Sequence, residues 1–370
     1  METTSVIPRI PVELCETIVD FYSQTPSVLI NCSLVCRAWV PSTRRHLFSL
    51  IHVHDMNISL FFQLLQSPLC TISPSSIRGV QLTMFTQSLA VPSWLDDVLA
   101  RSQSFKRVKT LMLDPNSLAW DSKSIVSAFS GITHLEFRDA RLQSRDQFAE
   151  ITHFVNQFPS LESLSLKGFH WYSGSMGYAD NTLPPPPGLR ALDSQVIQVQ
   201  GILHWLRRAK NFTELDIRIE YGLFVLPFKE CINHLSDTLT CLAVELTIDS
   251  WNKFSNLVNL SELKALRSLC LSLARYMGEE DTESDVLLYL SRIRDSSLQD
   301  IKIVLAIVPS GSWLTSVDDI FSGPHFSHLL SLEILTPKPF EGPEKRADEV
   351  MPKCSGLNIL TLRQGGHLTQ

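Results

Sequence analysis

One short pattern of apolar and polar positions returns along most of this chain: apolar, two variable residues, apolar, one variable residue, apolar. It begins at Phe48, Ile77, Val108, Ile132, Leu161, Leu189, Phe212, Leu239, Leu266, Leu298, Leu329 and Leu357. Its second half alternates with period two, which predicts a strand with one buried face. Between the phrases, apolar residues fall at helical spacing. Over 145–158 they are Phe148, Ile151, Phe154, Val155 and Phe158, with Ser144 placed to cap. Over 284–294 they are Val286, Leu287, Leu290 and Ile293, and further helices are expected over 93–102, 199–209, 227–235 and 253–263. The phrases recur at a mean step near 28 residues. Strand then helix, repeated, predicts an α/β fold in which parallel strands are lined on one side by helices. No single unit can bury its apolar face alone, so neighbours stack into one core.

Residues 10–48 follow a different pattern. Pro11 suits a first helical position, where its missing N–H costs nothing. Leu14, Ile18 and Phe21 then recur on one helical side. Thr25-Pro26 reads as a cap and first turn. The second helix is expected to carry Leu29, Cys32, Cys36 and Trp39 on one side, with Leu34 and Val35 beside them, and to stop at Pro41. Residues 42–48 can form a third short helix. Together these helices hold more apolar surface than three short helices bury on one another.

The same residues resemble the F-box. The family's opening is met by Ile10-Pro11-Val12-Glu13-Leu14, its central segment by Cys32-Ser33-Leu34-Val35-Cys36-Arg37-Ala38-Trp39, and its basic close by Arg44-Arg45-His46-Leu47-Phe48. The phrases that follow resemble the leucine-rich repeats that often accompany an F-box, although the usual Asn or Cys after the strand is largely missing. An uneven arc of about 12 repeats is therefore expected. The resemblance implies a flexible start (1–7), a three-helix F-box (8–49), a leucine-rich-repeat-like solenoid (50–364) and a short tail (365–370). It implies docking to the Skp-family adaptor of a cullin–RING, SCF-type ubiquitin ligase, through Ile10, Pro11, Leu14, Ile18, Leu34, Val35, Cys36 and Trp39. The repeats would then hold an unknown substrate protein, and catalysis would be proximity, with no chemistry done by this chain. The competing reading is a repeat scaffold outside any ligase, with the first helices capping the solenoid. A doubly wound α/β domain also alternates strand and helix, but twelve copies of one phrase without a glycine-rich first turn argue against it.

In the phrase, the residues between the buried leucines point to the concave sheet face. They include His134, Glu136 and Arg138; Ser163, Ser165 and Lys167; Glu214, Asp216 and Arg218; Glu245; Asp300 and Lys302; Glu333; Thr361 and Arg363. This charged stripe is the candidate substrate surface. The insertion 168–188 adds the loop aromatics Trp171 and Tyr172 as contact anchors. Its run Pro184–Pro187 predicts polyproline II, read as a stiff spacer. The segment 277–285 reads as an acidic, solvated turn.

Composition narrows the class. With 44% hydrophobic and 19% charged residues, the chain is set to fold. A net charge of −6 with mixed signs gives no field for nucleic acid or a membrane surface. The start of the sequence has no apolar leader, and the eight cysteines are scattered, mostly at apolar positions such as Cys15, Cys32, Cys36 and Cys270. Reduced, buried thiols and a cytoplasmic or nuclear location are expected. Glycine-rich phosphate loops and nucleophile elbows are absent. His52 and His54 share a face without an evident set of further ligands. No enzymatic activity, cofactor or metal is expected.

Overall fold

Every recurring phrase becomes a β-strand. The computed structural model describes residues 11–23, 25–54, 57–68, 70, 72, 76–83, 107–114, 122–139, 141–142, 145–171, 182–196, 199–273, 281–293, 297–305, 309–336 and 347–364. These fall into two compact units, Met1–Phe137 and Arg138–Gln370. The expected boundary after residue 49 lies inside the first unit.

The first unit begins with helices α1 (Val12–Phe21), α2 (Pro26–Val35) and α3 (Val40–Leu47). Strands β1 (Leu50–His54), β2 (Gly79–Thr83), β3 (Thr110–Leu113) and β4 (His134–Arg138) follow, each parallel to the next. Arg138, the last residue of β4, opens the second unit. Helix α4 (Ile58–Gln66) lies between β1 and β2, and α5 (Ser122–Ala128) between β3 and β4. The expected helix over 93–102, the capping Ser144, Ile10 and Tyr172 lie outside the described residues.

The second unit holds eight strands that repeat the phrase: β6 (Ser163–Lys167), β8 (Ala191–Ser194), β9 (Glu214–Ile219), β10 (Cys241–Leu246), β11 (Ser268–Leu273), β12 (Asp300–Leu305), β13 (Ser331–Thr336) and β14 (Leu360–Gln364). Two extra short strands, β5 (Arg141–Leu142) and β7 (His170–Trp171), pair separately. The eight main strands are all parallel, and their order in space is their order in sequence. A doubly wound sheet reverses direction at a switch point. Each unit instead runs one way, as a leucine-rich-repeat-like array does.

Burial follows the phrase. In β9, β10 and β11 every second residue is buried, and so is the apolar residue that opens each phrase from Ile77 to Leu329. Helices α6 (Arg145–Val155), α7 (Gln200–Leu206), α8 (Val225–His234), α9 (Ile248–Leu257), α10 (Asp281–Ser291) and α11 (Gly311–Phe321) add their apolar sides, and from α7 to α11 each packs on the next. The core between α8, α9 and α10 is aromatic: Trp251 meets Tyr289 edge-on at 5.3 Å, and Phe228 lies 5.9 Å from Phe254. Such pairs add about 0.5–1.5 kcal/mol each beyond the area they bury.

Where the usual Asn or Cys is missing, as expected from sequence, backbone hydrogen bonds form a seam. In most repeats the carbonyl just before the strand accepts two successive N–H groups of the next repeat. Thr213 O takes Thr240 N and Cys241 N, and Thr240 O takes Arg267 N and Ser268 N. Arg190, Arg267 and Gln299 do the same in this unit, as do Ser49, Arg78 and Lys109 in the first. Because a carbonyl carries two lone pairs, the seam needs no particular side chain, which leaves the surface sequence free to vary.

Two expectations change, and a third gains detail. Pro41 does not stop the second helix. That helix ends at Val35, Cys36 is extended, and Pro41 sits in the first turn of α3, where a proline is tolerated. The acidic segment 277–285 is not all turn, because residues 281–285 are helical and open α10. The proline run, expected as a stiff spacer, is tied down by its neighbours. Pro185 and Pro186 are buried, Asn156 Nδ2 donates to Pro184 O at 2.8 Å, and Trp205 Nε1 donates to Leu183 O at 2.7 Å.

Candidate protein-docking surfaces

Helix α1 has two apolar sides. Cys15 and Val19, four residues apart, are buried with Leu29, Cys32 and Trp39 in the core of the helical module. Leu14, Ile18 and Phe21 form the other side and stay in solvent, with Leu14 55% and Phe21 80% exposed. Helix α2 repeats the arrangement, burying Leu29 and Cys32 while Ile30, Leu34 and Val35 remain open, Leu34 at 79%. A folded surface ordinarily covers such residues or spaces them singly. The docking residues inferred from sequence therefore divide. Pro11, Leu14, Ile18, Leu34, Val35 and Cys36 are exposed. Trp39 instead lies in the module's core, 9% exposed and packed with Cys15 and Val19. Phe21, Tyr22 and Ile30 join the open set. Phe21 and Tyr22 touch edge-on with ring centroids 5.0 Å apart. Period alone does not tell a helix's inner stripe from an outer one, because both repeat at i, i+4.

A polar clasp holds α1 to α3. Asp20 Oδ1 lies 2.6 Å from His46 Nε2 and 3.1 Å from Arg45 NH2. The hydrogen bond to His46, helped by the charge of Arg45, holds the Asp20 carboxyl below the usual carboxylate value.

The second surface is the open face of the strands of the second unit. Register sets it out in rungs that cross the strands, with neighbouring residues of a rung about 4.8 Å apart. The middle rung reads Ser165, Asp193, Asp216, Ala243, Cys270, Lys302, Glu333, Thr361. The next rung pairs Arg218 with Glu245 and Ser272. Asp193 and Asp216 thus stand side by side. Ser165 Oγ donates to Asp193 Oδ2 at 3.0 Å, and Lys167 Nζ lies 3.8 Å from the same oxygen. Crowding by the neighbouring strands, then the charges of Asp193 and Glu245, push the Asp216 carboxyl up to about 6, although the residue still reaches solvent. Arg218 is the counterweight, with NH2 2.6 Å from Glu220 and Nε 3.5 Å from Glu245. Farther along, Glu333 draws Lys302 at 3.4 Å and Arg363 at 3.5 Å.

Of the candidate substrate residues, Glu214 and Asp216 are exposed, and Lys167, Arg218 and Glu245 are half-buried. His134 and Glu136 lie on β4 in the first unit, His134 exposed and Glu136 half-buried. Arg138 is half-buried at the boundary, and Trp171 lies in β7. Sequence reading missed Asp193. Its phrase, opening at Leu189, ends in serine rather than an apolar residue, yet Asp193 occupies the same phrase position as Ser165 and Asp216. The thiols also divide. Cys15 and Cys32 are buried as expected, but Cys36 is exposed and Cys270 is half-buried on the open face. Burial pushes the Cys270 thiol up to about 11, so it stays protonated at neutral pH.

The raised Asp216 carboxyl has a measurable consequence. Its folded value lies above the ordinary value of 3.8, so between about pH 4 and 6 the folded state binds more protons than the unfolded one. Wild-type stability relative to Asp216→Asn is expected to fall as pH rises through that window and to level off above it. Urea melts of both proteins across pH 4–7 give this difference directly, and a flat difference would contradict it.

No family model matches this chain, and no curated protein does. Among solved structures, the crystal structure of a TLR13–ssRNA13 complex is similar, with 14% identity and a TM-score of 0.32, over 87% of this chain and 40% of that one. This chain covers well under half the length of that structure. Among the described residues, no helix is long and apolar enough to cross a membrane, and no group of three or more His, Cys, Asp or Glu residues could hold a metal.

Proposed function

We propose that this protein is a substrate-recognition adaptor. Its first three helices act as an F-box that docks on the Skp-family adaptor of a cullin–RING ubiquitin ligase, and its strand face holds the substrate protein. The observation that carries this reading is the second apolar side of α1 and α2. Leu14, Ile18, Phe21, Leu34 and Val35 stay in solvent although the module has a core of its own beside them. Burying each such side chain contributes about 1.5–3 kcal/mol. Lost motion on association removes a large share of that sum. The match of residues 10–48 to the F-box pattern supplies the identity of the partner. The ligase would then work by raising the local concentration of a ubiquitin carrier beside the substrate.

The test is capture. Purified full-length protein is expected to bind the Skp-family adaptor directly, and failure of the wild type to bind sinks the ligase reading. On the other surface, reversing charge with Glu214→Lys and Asp216→Lys is expected to weaken substrate recovery about tenfold or more, since like charges replace complementary ones. Adaptor binding should not change. Unaltered substrate recovery would remove the strand face from the proposal.

A specific observation also favours capping. Helix α3 ends at Leu47, β1 starts at Leu50, and the helices share one compact unit with β1, β2 and β3. Dock and cap are compatible, because the inner sides of α1 and α2 build the module while the outer sides stay open.

A further inference from the structure

The first unit contains a cleft of about 420 Å³ between the end of α3 and the starts of β1, β2 and β3. That volume is in the range of small-ligand sites. Three cationic or protonatable side chains line it: Arg45 and His46 from α3, and Arg78 just before β2. Ser23 and Thr110 bring hydroxyls to the same lining, and none of the lining residues is acidic. Arg78 is exposed, and among the described residues its guanidinium has no carboxylate partner. Register adds a dip in the floor. Leu50, Gly79 and Thr110 form one rung, and the middle position has no side chain. A Cβ there would come within 2.9 Å of Leu50 Cδ1.

We propose that this cleft binds a phosphoryl group. The charge balance selects that chemistry. Asp20 already supplies one negative charge to Arg45 and His46 from outside the cleft, at 3.1 and 2.6 Å. A carboxylate ligand would only match Asp20. A phosphoryl group carries about −1.5 to −2 charges at neutral pH and three acceptor oxygens. It can take Arg78 through paired N–H donors, draw Arg45 away from Asp20, and accept from the hydroxyls of Ser23 and Thr110. The site lies within the first unit and does not depend on adaptor docking. The shared chemistry admits two sources, a phosphorylated side chain or a small free phosphate.

The test uses the full-length chain and calorimetric titration with two probes, inorganic phosphate and N-acetyl-phosphoserine N-methylamide, against chloride at matched ionic strength. Both probes are expected to bind where chloride does not. Arg78→Gln, a surface change that keeps the backbone hydrogen bonds of the seam, should weaken both about tenfold, the effect of losing one charge-assisted contact. Asp20→Asn, which frees Arg45 and His46, should tighten both severalfold. Tighter binding of the phosphoserine probe than of phosphate assigns the source to a modified side chain, and equal binding assigns it to a free phosphate. Circular dichroism of each variant separates lost binding from lost fold, and should Asp20→Asn loosen α1 from α3, Arg78→Gln still decides. The proposal is overturned if phosphate binds no better than chloride, or if Arg78→Gln leaves the affinity of the folded protein unchanged.

Discussion

Leu34→Asp is expected to lower affinity for the Skp-family adaptor by about a hundredfold while the protein stays folded. Leu34 is 79% exposed, so its apolar side chain adds little to the stability of the free chain. In a docked complex the same side chain would be buried. Losing that burial costs about 1.5–3 kcal/mol, and an aspartate in an apolar contact adds an uncompensated charge. A loss near 3 kcal/mol corresponds to about two decades in affinity. The measurement is a titration of adaptor against wild-type and variant chains, with thermal melts run in parallel. Leu14→Asp, at the matching position of α1, should act alike. Unchanged affinity in both variants would show that the open sides of α1 and α2 are not the docking surface, whatever the wild type binds.

Trp39→Ala is expected to unfold the helical module. Trp39 belongs to a core of five buried residues from three segments, Cys15 and Val19, Leu29 and Cys32, and itself. Truncating a buried tryptophan typically costs about 3–5 kcal/mol, from lost transfer energy and the cavity left behind. So small a core has little reserve against that loss. The Asp20 clasp to Arg45 and His46 is exposed, and exposed ion pairs contribute little. Amide hydrogen exchange across 12–47 reports the outcome. Protection there should collapse in the variant while the amides of β9 to β12 keep theirs, because the core between those repeats is built from different side chains. A variant that keeps protection over 12–47 and loses only adaptor binding would return Trp39 to the docking face.

The contrast between these two residues marks where sequence reading stops. Leu34 and Trp39 both stood out as apolar members of the second helix, on neighbouring sides. The chain breaks that helix at Cys36, whose extended backbone turns Trp39 inward to meet Cys15 and Val19. A break of one residue is invisible to a periodic pattern, because the pattern assumes an unbroken helix. The same holds for Asp193. Its phrase is a weak copy by sequence, yet the ladder hydrogen bonds of β6 and β9 set its register and bring it beside Asp216.

What the sequence alone determined is the repeat: each of the twelve phrases becomes a strand, and within each unit the strands run parallel and in sequence order, with the leucines inward and the charged residues outward. It could do so because that information is local, in the period-two alternation of a half-buried strand and the helical spacing between strands. Only the tertiary structure decided which apolar helix side is covered and which is left open, which carboxylates stand side by side, and which cations meet around one cleft. Those are relations between residues far apart in sequence, set by packing and register, and no local pattern encodes them.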